Sequence, residues 1–236
     1  MDKPAKSDAL PNQKRNSIYE DAEEGTPELH SIFTLLETFK DTKLALHLFM
    51  NNKFEEAEEK LISKSDKSIY HALGFGVILF IKSMMTCERK DLETAAEACK
   101  KSVSIIEKYR AKNVFLNPMS WLSNSNKNLT DDQIHAELCY AETLLLKAVL
   151  AFFTDETFSS FIKGALKVNT CHSIYRECYK IINTTQWEER DAVVREQFEA
   201  GTRMGIGIFN MMISIMPAKI LKLLEFCGFY GNKNIE

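Results

Sequence analysis

Glycine and proline are scarce in this chain, 9 and 5 among 236 residues, roughly half their usual share. That shortage excludes a collagen-like chain and argues against a wholly disordered or turn-rich β protein. Neither charge sign dominates: 30 Lys and Arg against 33 Asp and Glu leave a net charge of -3, which gives no overall pull toward nucleic acid. With 45% hydrophobic residues and length enough for a substantial core, the composition points to a helix-rich globular protein.

Signals of export and anchoring are missing too. The opening residues run through Asp2, Lys3, Pro4, Lys6, Asp8 and Pro11 rather than into an apolar core, so no secretory leader is expected. Asp2 stands where myristoylation needs glycine, and the end Asn234-Ile235-Glu236 carries no prenylation cysteine. Six cysteines, Cys87, Cys99, Cys139, Cys171, Cys178 and Cys227, form no Cys-x-x-Cys and sit mostly among apolar neighbours. That pattern suits reduced thiols used as small core residues in the cytoplasm. The sequons at Asn128 and Asn183 then read as chance matches.

What the chain does contain is helical periodicity. Residues 1–28 are set apart as a charged tail: four basic and two acidic residues through Ser17, then five acidic and no basic ones from Ile18 to Glu28. From Leu29 to about residue 232 the recurring unit is a helix, a short polar turn and a second helix, with 233–236 as a tail. The expected hairpins are 31–64, 68–112, 132–183 and 187–228. In the first, Leu44, Ala45, Leu48 and Phe49 recur at helical spacing, Asn51-Asn52-Lys53 turns the chain, and Phe54, Ala57 and Leu61 give the second helix its apolar face.

This is the register of a tetratricopeptide hairpin, in which a small residue on each helix, here Ala45 and Ala57, permits close approach. Leu92, Ala95 and Cys99 repeat the pattern 38 residues later. The stretch Leu73 to Ile81 is almost wholly apolar, as for a helix buried on most sides. Thr130 and Gln133 stand at capping-box spacing before the third hairpin. Trp187-Glu188-Glu189 opens a helix running to Met216, and Pro217 opens a short one to Cys227. The expected fold is therefore all-α, a tetratricopeptide-like array of helical hairpins.

Chemistry-bearing motifs fail on their own terms. His135-Ala136-Glu137 matches half of a zinc deaminase signature, yet no Pro-Cys-x-x-Cys follows. Cys171 and Cys178 share a helix face from which His172 turns away. Gly205-Ile206-Gly207 lacks the third glycine and the preceding strand of a dinucleotide turn. No catalytic residue, metal site or cofactor is expected.

Residues 204–226 are the most distinctive. From Met204 to Ala218 there is no charge, a run short of the 20 or so apolar residues of a membrane span. Gly201 and Gly205, four apart, would let another helix approach closely. Phe209, Met212 and Ile213 are candidates for a surface that meets a partner helix or a membrane interface, against the alternative that this run is repeat core. Leu46 and Phe49, with Thr42, are the corresponding candidates for an apolar inner wall of the first hairpin.

The run Gly205-Ile206-Gly207-Ile208-Phe209-Asn210-Met211-Met212-Ile213-Ser214-Ile215-Met216-Pro217, followed by 220–229, resembles the most characteristic stretch of the tetratricopeptide repeat protein 39 family. The 45–60 hairpin and the 135–153 helix are similar to that family's amino-terminal half. The resemblance implies a cytosolic helical-repeat protein related to fungal inclusion-body clearance proteins and to animal proteins linked with lipid homeostasis, with no catalytic site to carry over. It places the chain in the cytoplasm, at an organelle or lipid-droplet surface. Family members are longer, which suggests a truncated isoform whose apolar carboxyl-terminal helix is left uncovered and invites a partner, a membrane or self-association. Two readings stay open: a non-catalytic scaffold or adaptor for a protein partner, with no nucleic acid, and a peripheral membrane or lipid-associated adaptor using 204–226.

Overall fold

The computed structural model describes residues 33–111, 129–154, 158–215, 221, 222 and 225. The two tails, the 112–128 connection, Cys227 and nearly all of the expected 217–227 helix lie outside the described residues. Within them are seven α-helices and no strand: α1 (Leu35–Met50), α2 (Phe54–Ile62), α3 (Ile69–Thr86), α4 (Arg89–Ile106), α5 (Asp131–Thr154), α6 (Phe158–Thr184) and α7 (Ala192–Ile215). Sequence neighbours pack as the hairpins α1/α2, α3/α4 and α5/α6, and each leans on the next through α1–α3, α2–α3, α3–α5 and α4–α5. The chain is an all-α array of helical hairpins.

Local chemistry explains where each helix starts. Thr34 and Glu37 form a reciprocal capping box, the Glu37 amide donating to Thr34 Oγ1 at 3.3 Å and the Thr34 amide to Glu37 Oε2 at 3.1 Å. Thr130 and Gln133 do the same for α5, at 3.2 Å and 3.0 Å, as their spacing predicts. Between α1 and α2, Asn52 takes the left-handed conformation (φ 63°) that asparagine tolerates better than most residues. Ala45 and Ala57 are both fully buried where these helices meet, as are Ala95 and Cys99 in the next hairpin.

In α3, no residue from Ile69 to Met84 is exposed, as its apolar run predicts. It is long and apolar enough to cross a membrane by length and composition, with a mean hydropathy of 1.4, but here it packs against α1, α2, α4 and α5. A Cβ on Gly76 would touch Cys99 Sγ and Ser102 Oγ at 3.4 Å. Ser102 Oγ in turn donates to the Ala72 carbonyl at 2.6 Å, fixing the close α3–α4 approach.

Two expected boundaries move. α4 ends at Ile106 rather than Lys112, because the chain tightens into a 3-10 turn at Glu107–Tyr109. There the Tyr109 hydroxyl donates to the Lys67 carbonyl at 2.9 Å, and Arg110 extends (ψ 145°) to reach Glu137. Trp187–Glu189 is likewise a separate 3-10 turn rather than the start of the last long helix. Its indole donates to the Ile182 carbonyl at 3.0 Å. Asp191 then caps α7, accepting from the Val193 amide at 2.8 Å and the Val194 amide at 3.3 Å.

The first helices of successive hairpins converge on His135 of α5. Phe39 of α1 and Phe198 of α7 each place a ring centroid 5.5 Å from the imidazole. The Tyr70 hydroxyl of α3 lies 2.6 Å from Nδ1, and the Val194 carbonyl of α7 lies 3.1 Å from Nε2. A carbonyl can only accept, so Nε2 carries the hydrogen and Nδ1 accepts from Tyr70. α1 and α7 also touch at this level.

Candidate interaction site on the last two helices

α7 docks through its glycines. A Cβ on Gly201 would lie 2.8 Å from Leu138 Cδ2 of α5, and one on Gly205 would lie 2.4 Å from Tyr175 Cε1 of α6. The four-residue spacing thus serves close approach, as the sequence suggests, though what enters is a side chain from each of two helices. With Phe198, Thr202 and Phe209 also buried, these residues define the inward face of α7.

That register settles where the candidate residues point. Phe209 is 2% exposed and stacks on His172, with centroids 5.2 Å apart. Met212 and Ile213 are half-buried and pack on the α5–α7 core. None of the three is the free outer surface envisaged for it. The outward face instead carries Met204, Ile208 and Met211, 59%, 40% and 60% exposed, and Gly207, which has nothing within 4 Å of an added Cβ. These three positions are i, i+4 and i+7, one side of a helix. The sequence signal for them was the same uncharged run; its periodicity identified a stripe without saying which side the core would take.

The inner wall proposed for α1 separates in the same way. Leu46 is 49% exposed, whereas Phe49 is 5% exposed and packs edge-on against Phe54 at 5.0 Å. The Thr42 hydroxyl bonds to the Thr38 carbonyl of its own helix at 2.8 Å. Phe49 is core because it follows Ala45 by one turn on the side that faces α2.

Between α6 and α7 lies a cavity of about 400 Å³. α6 supplies His172, Tyr175, Arg176, Tyr179 and Lys180; α7 supplies Ile206, Phe209 and Asn210. Burial, aided by the Arg176 charge, holds His172 below its usual pKa, so it is neutral near pH 7. The Tyr175 hydroxyl is buried and has no hydrogen-bond partner among the described residues. The cavity is not legible in the sequence, since its cations lie on α6 and its apolar residues Ile206 and Phe209 on α7, beyond the Trp187 turn.

The chemistry-like motifs have structural employment. Both nitrogens of His135 are engaged at the helix junction, and burial pushes its pKa down to about 3. Glu137 holds Arg110 by paired bonds of 3.0 Å and 2.9 Å, while that guanidinium lies 3.7 Å over the Tyr140 ring. Cys99, Cys139, Cys171 and Cys178 are buried free thiols, and burial raises their pKa values. Cys87 departs from the core expectation: it is exposed, in a left-handed cap (φ 52°) at the end of α3.

A helical-hairpin array with small residues at each crossing and an apolar stripe on its last described helix has the build of the tetratricopeptide class of interaction scaffold. Residues 43–235 match the family model Iml2/Tetratricopeptide repeat protein 39, and the chain belongs to that family. It is 50% identical over 200 residues to the Caenorhabditis elegans protein named tetratricopeptide repeat protein ttc-39B, covering 84% of this chain. It spans 35% of that relative's length. No solved structure matches the chain.

Proposed function

We propose that the chain is a non-catalytic scaffold or adaptor that docks a partner protein on the outer face of α7. The observation behind this reading is the exposed row Met204, Ile208 and Met211, the spacing with which one helix lies along another. Methionine suits such a face because its flexible side chain adapts to irregular partners. Membership of a tetratricopeptide family supports protein binding as the mode of action. A link to lipid homeostasis or aggregate clearance, in the cytoplasm or at an organelle or lipid-droplet surface, would run through the partner recruited here.

A second reading uses the same side chains: a peripheral, lipid-associated adaptor in which Met204, Ile208 and Met211 enter a membrane interface. Replacing all three with Glu separates the readings, because exposed positions tolerate charge without loss of fold. Under the first reading the variant melts like the parent and loses proteins captured by the parent, while neither binds liposomes. Liposome flotation by the parent, abolished in the variant, would favour the second. Parent dimers that become monomers in the variant would mean that a second copy of the chain takes the stripe.

A further inference from the structure

We propose that the cavity between α6 and α7 binds a small amphipathic organic anion, its apolar body against Tyr179, Ile206 and Phe209 and its carboxylate or sulfonate paired with Arg176. The volume of about 400 Å³ lies within the range of small-molecule sites, about 300–1,000 Å³. It is too small to seat a helix, which measures about 10 Å across with its side chains. The site is therefore distinct from the outer stripe of α7.

Charge complementarity sets the sign of the ligand. The chain is net acidic, yet among the described residues no carboxylate lines this cavity, and its ionisable side chains include Arg176 and Lys180. Lys180 is already held by Glu177 at 2.7 Å, and nearby Arg203, over the Tyr179 ring, by Glu199 at 2.8 Å. Arg176 makes no ion pair among the described residues. Its planar guanidinium can take both oxygens of one carboxylate or sulfonate. Tyr175 belongs to the same wall, and among the described residues its buried hydroxyl has no hydrogen-bond partner. Half-buried Ile206 and buried Phe209 supply the apolar surface that a simple inorganic anion would leave unused.

The test is a fluorescence titration of the whole chain with anilinonaphthalene sulfonate, with uncharged phenylnaphthylamine as comparator. The proposal expects saturable binding at one site, the sulfonate about tenfold or more tighter than the neutral probe. Arg176→Gln should erase that difference, weakening the sulfonate about tenfold, the scale of one charge-assisted hydrogen bond, with an unchanged melting temperature. Ile206→Trp should fill the cavity and weaken both probes; if that variant is unstable, the exposed Arg176 substitution decides alone. Equal affinity for the two probes, sulfonate binding indifferent to Arg176→Gln, or no binding by the parent would overturn the proposal. Loss of the probe only in the Met204, Ile208 and Met211 glutamate variant would also overturn it, by placing the ligand on the outer stripe.

Discussion

Gly205 of α7 lies so close to the ring of Tyr175 on α6 that a Cβ at position 205 would sit 2.4 Å from Cε1 and 2.6 Å from the hydroxyl oxygen. Tyr175 is 1% exposed, and a Cβ at position 205 would force its ring out of its packed position toward the α6–α7 cavity. Gly205→Ala should therefore lower stability by about 1–3 kcal/mol, the range for overpacking. Gly207→Ala, one residue pair away and facing open space, should raise it by about 0.8–1 kcal/mol from helix propensity. Urea denaturation of the two variants checks both signs; the same sign in both would refute this packing of α7.

The Arg110–Glu137 pair bridges the end of the α3/α4 hairpin to α5 with side chains only 12% and 4% exposed. Glu137→Ala takes two hydrogen bonds from a guanidinium only 12% exposed, and should cost about 1–3 kcal/mol. The double variant Arg110→Met with Glu137→Leu should recover much of that loss, because an apolar pair leaves no charge to solvate. Chemical denaturation of the single and double variants measures the recovery.

His135 should stay neutral in the folded protein well below its ordinary pKa of 6.5, titrating only near pH 3, since burial opposes the cation. Below pH 6.5 the unfolded chain takes up a proton that the folded one refuses. Its contribution to stability is therefore intact above pH 6.5 and declines as pH falls toward 3, by up to about 1.4 kcal/mol per unit. Imidazole NMR reports this directly; a His135 midpoint near 6.5 would contradict the buried junction.

Glu142, half-buried on α5, behaves in the opposite sense: burial raises its pKa from 4.5 to about 8. The folded state then holds a proton that the unfolded state gives up, so this contribution is present below pH 4.5 and is lost as pH rises toward 8. Glu142→Gln should be more stable than the parent at alkaline pH, with the gap shrinking toward pH 4.5. Thermal melts across that range follow the gap, and a pH-independent difference would count against the shift.

On α1, Leu46→Ser should change stability by no more than about 0.5 kcal/mol, as exposed positions do. Phe49→Ala should cost about 3–5 kcal/mol, as for a buried aromatic ring. Comparing their melting transitions distinguishes a surface leucine from a core phenylalanine three residues away.

Helix positions, their hairpin pairing and the small residues at the crossings follow from local sequence. These depend on interactions within a few residues: apolar spacing, the Thr130–Gln133 cap, the Asn51–Asn52 turn, and Ala45 against Ala57. The Thr34–Glu37 box is of the same local kind, carried by Thr-x-x-Glu spacing. Which side of each helix became core emerges only when the helices pack. On α7, Phe209, Met212 and Ile213 and their neighbours Met204, Ile208 and Met211 are all apolar, so hydrophobicity alone could not rank the two faces. The contacts of Leu138 with Gly201 and of Tyr175 with Gly205 broke the tie, turning the glycine face inward because only there can two side chains enter so deeply. The α6–α7 cavity was beyond local reading for the same reason, since its cation and its apolar floor come together only when those helices pack.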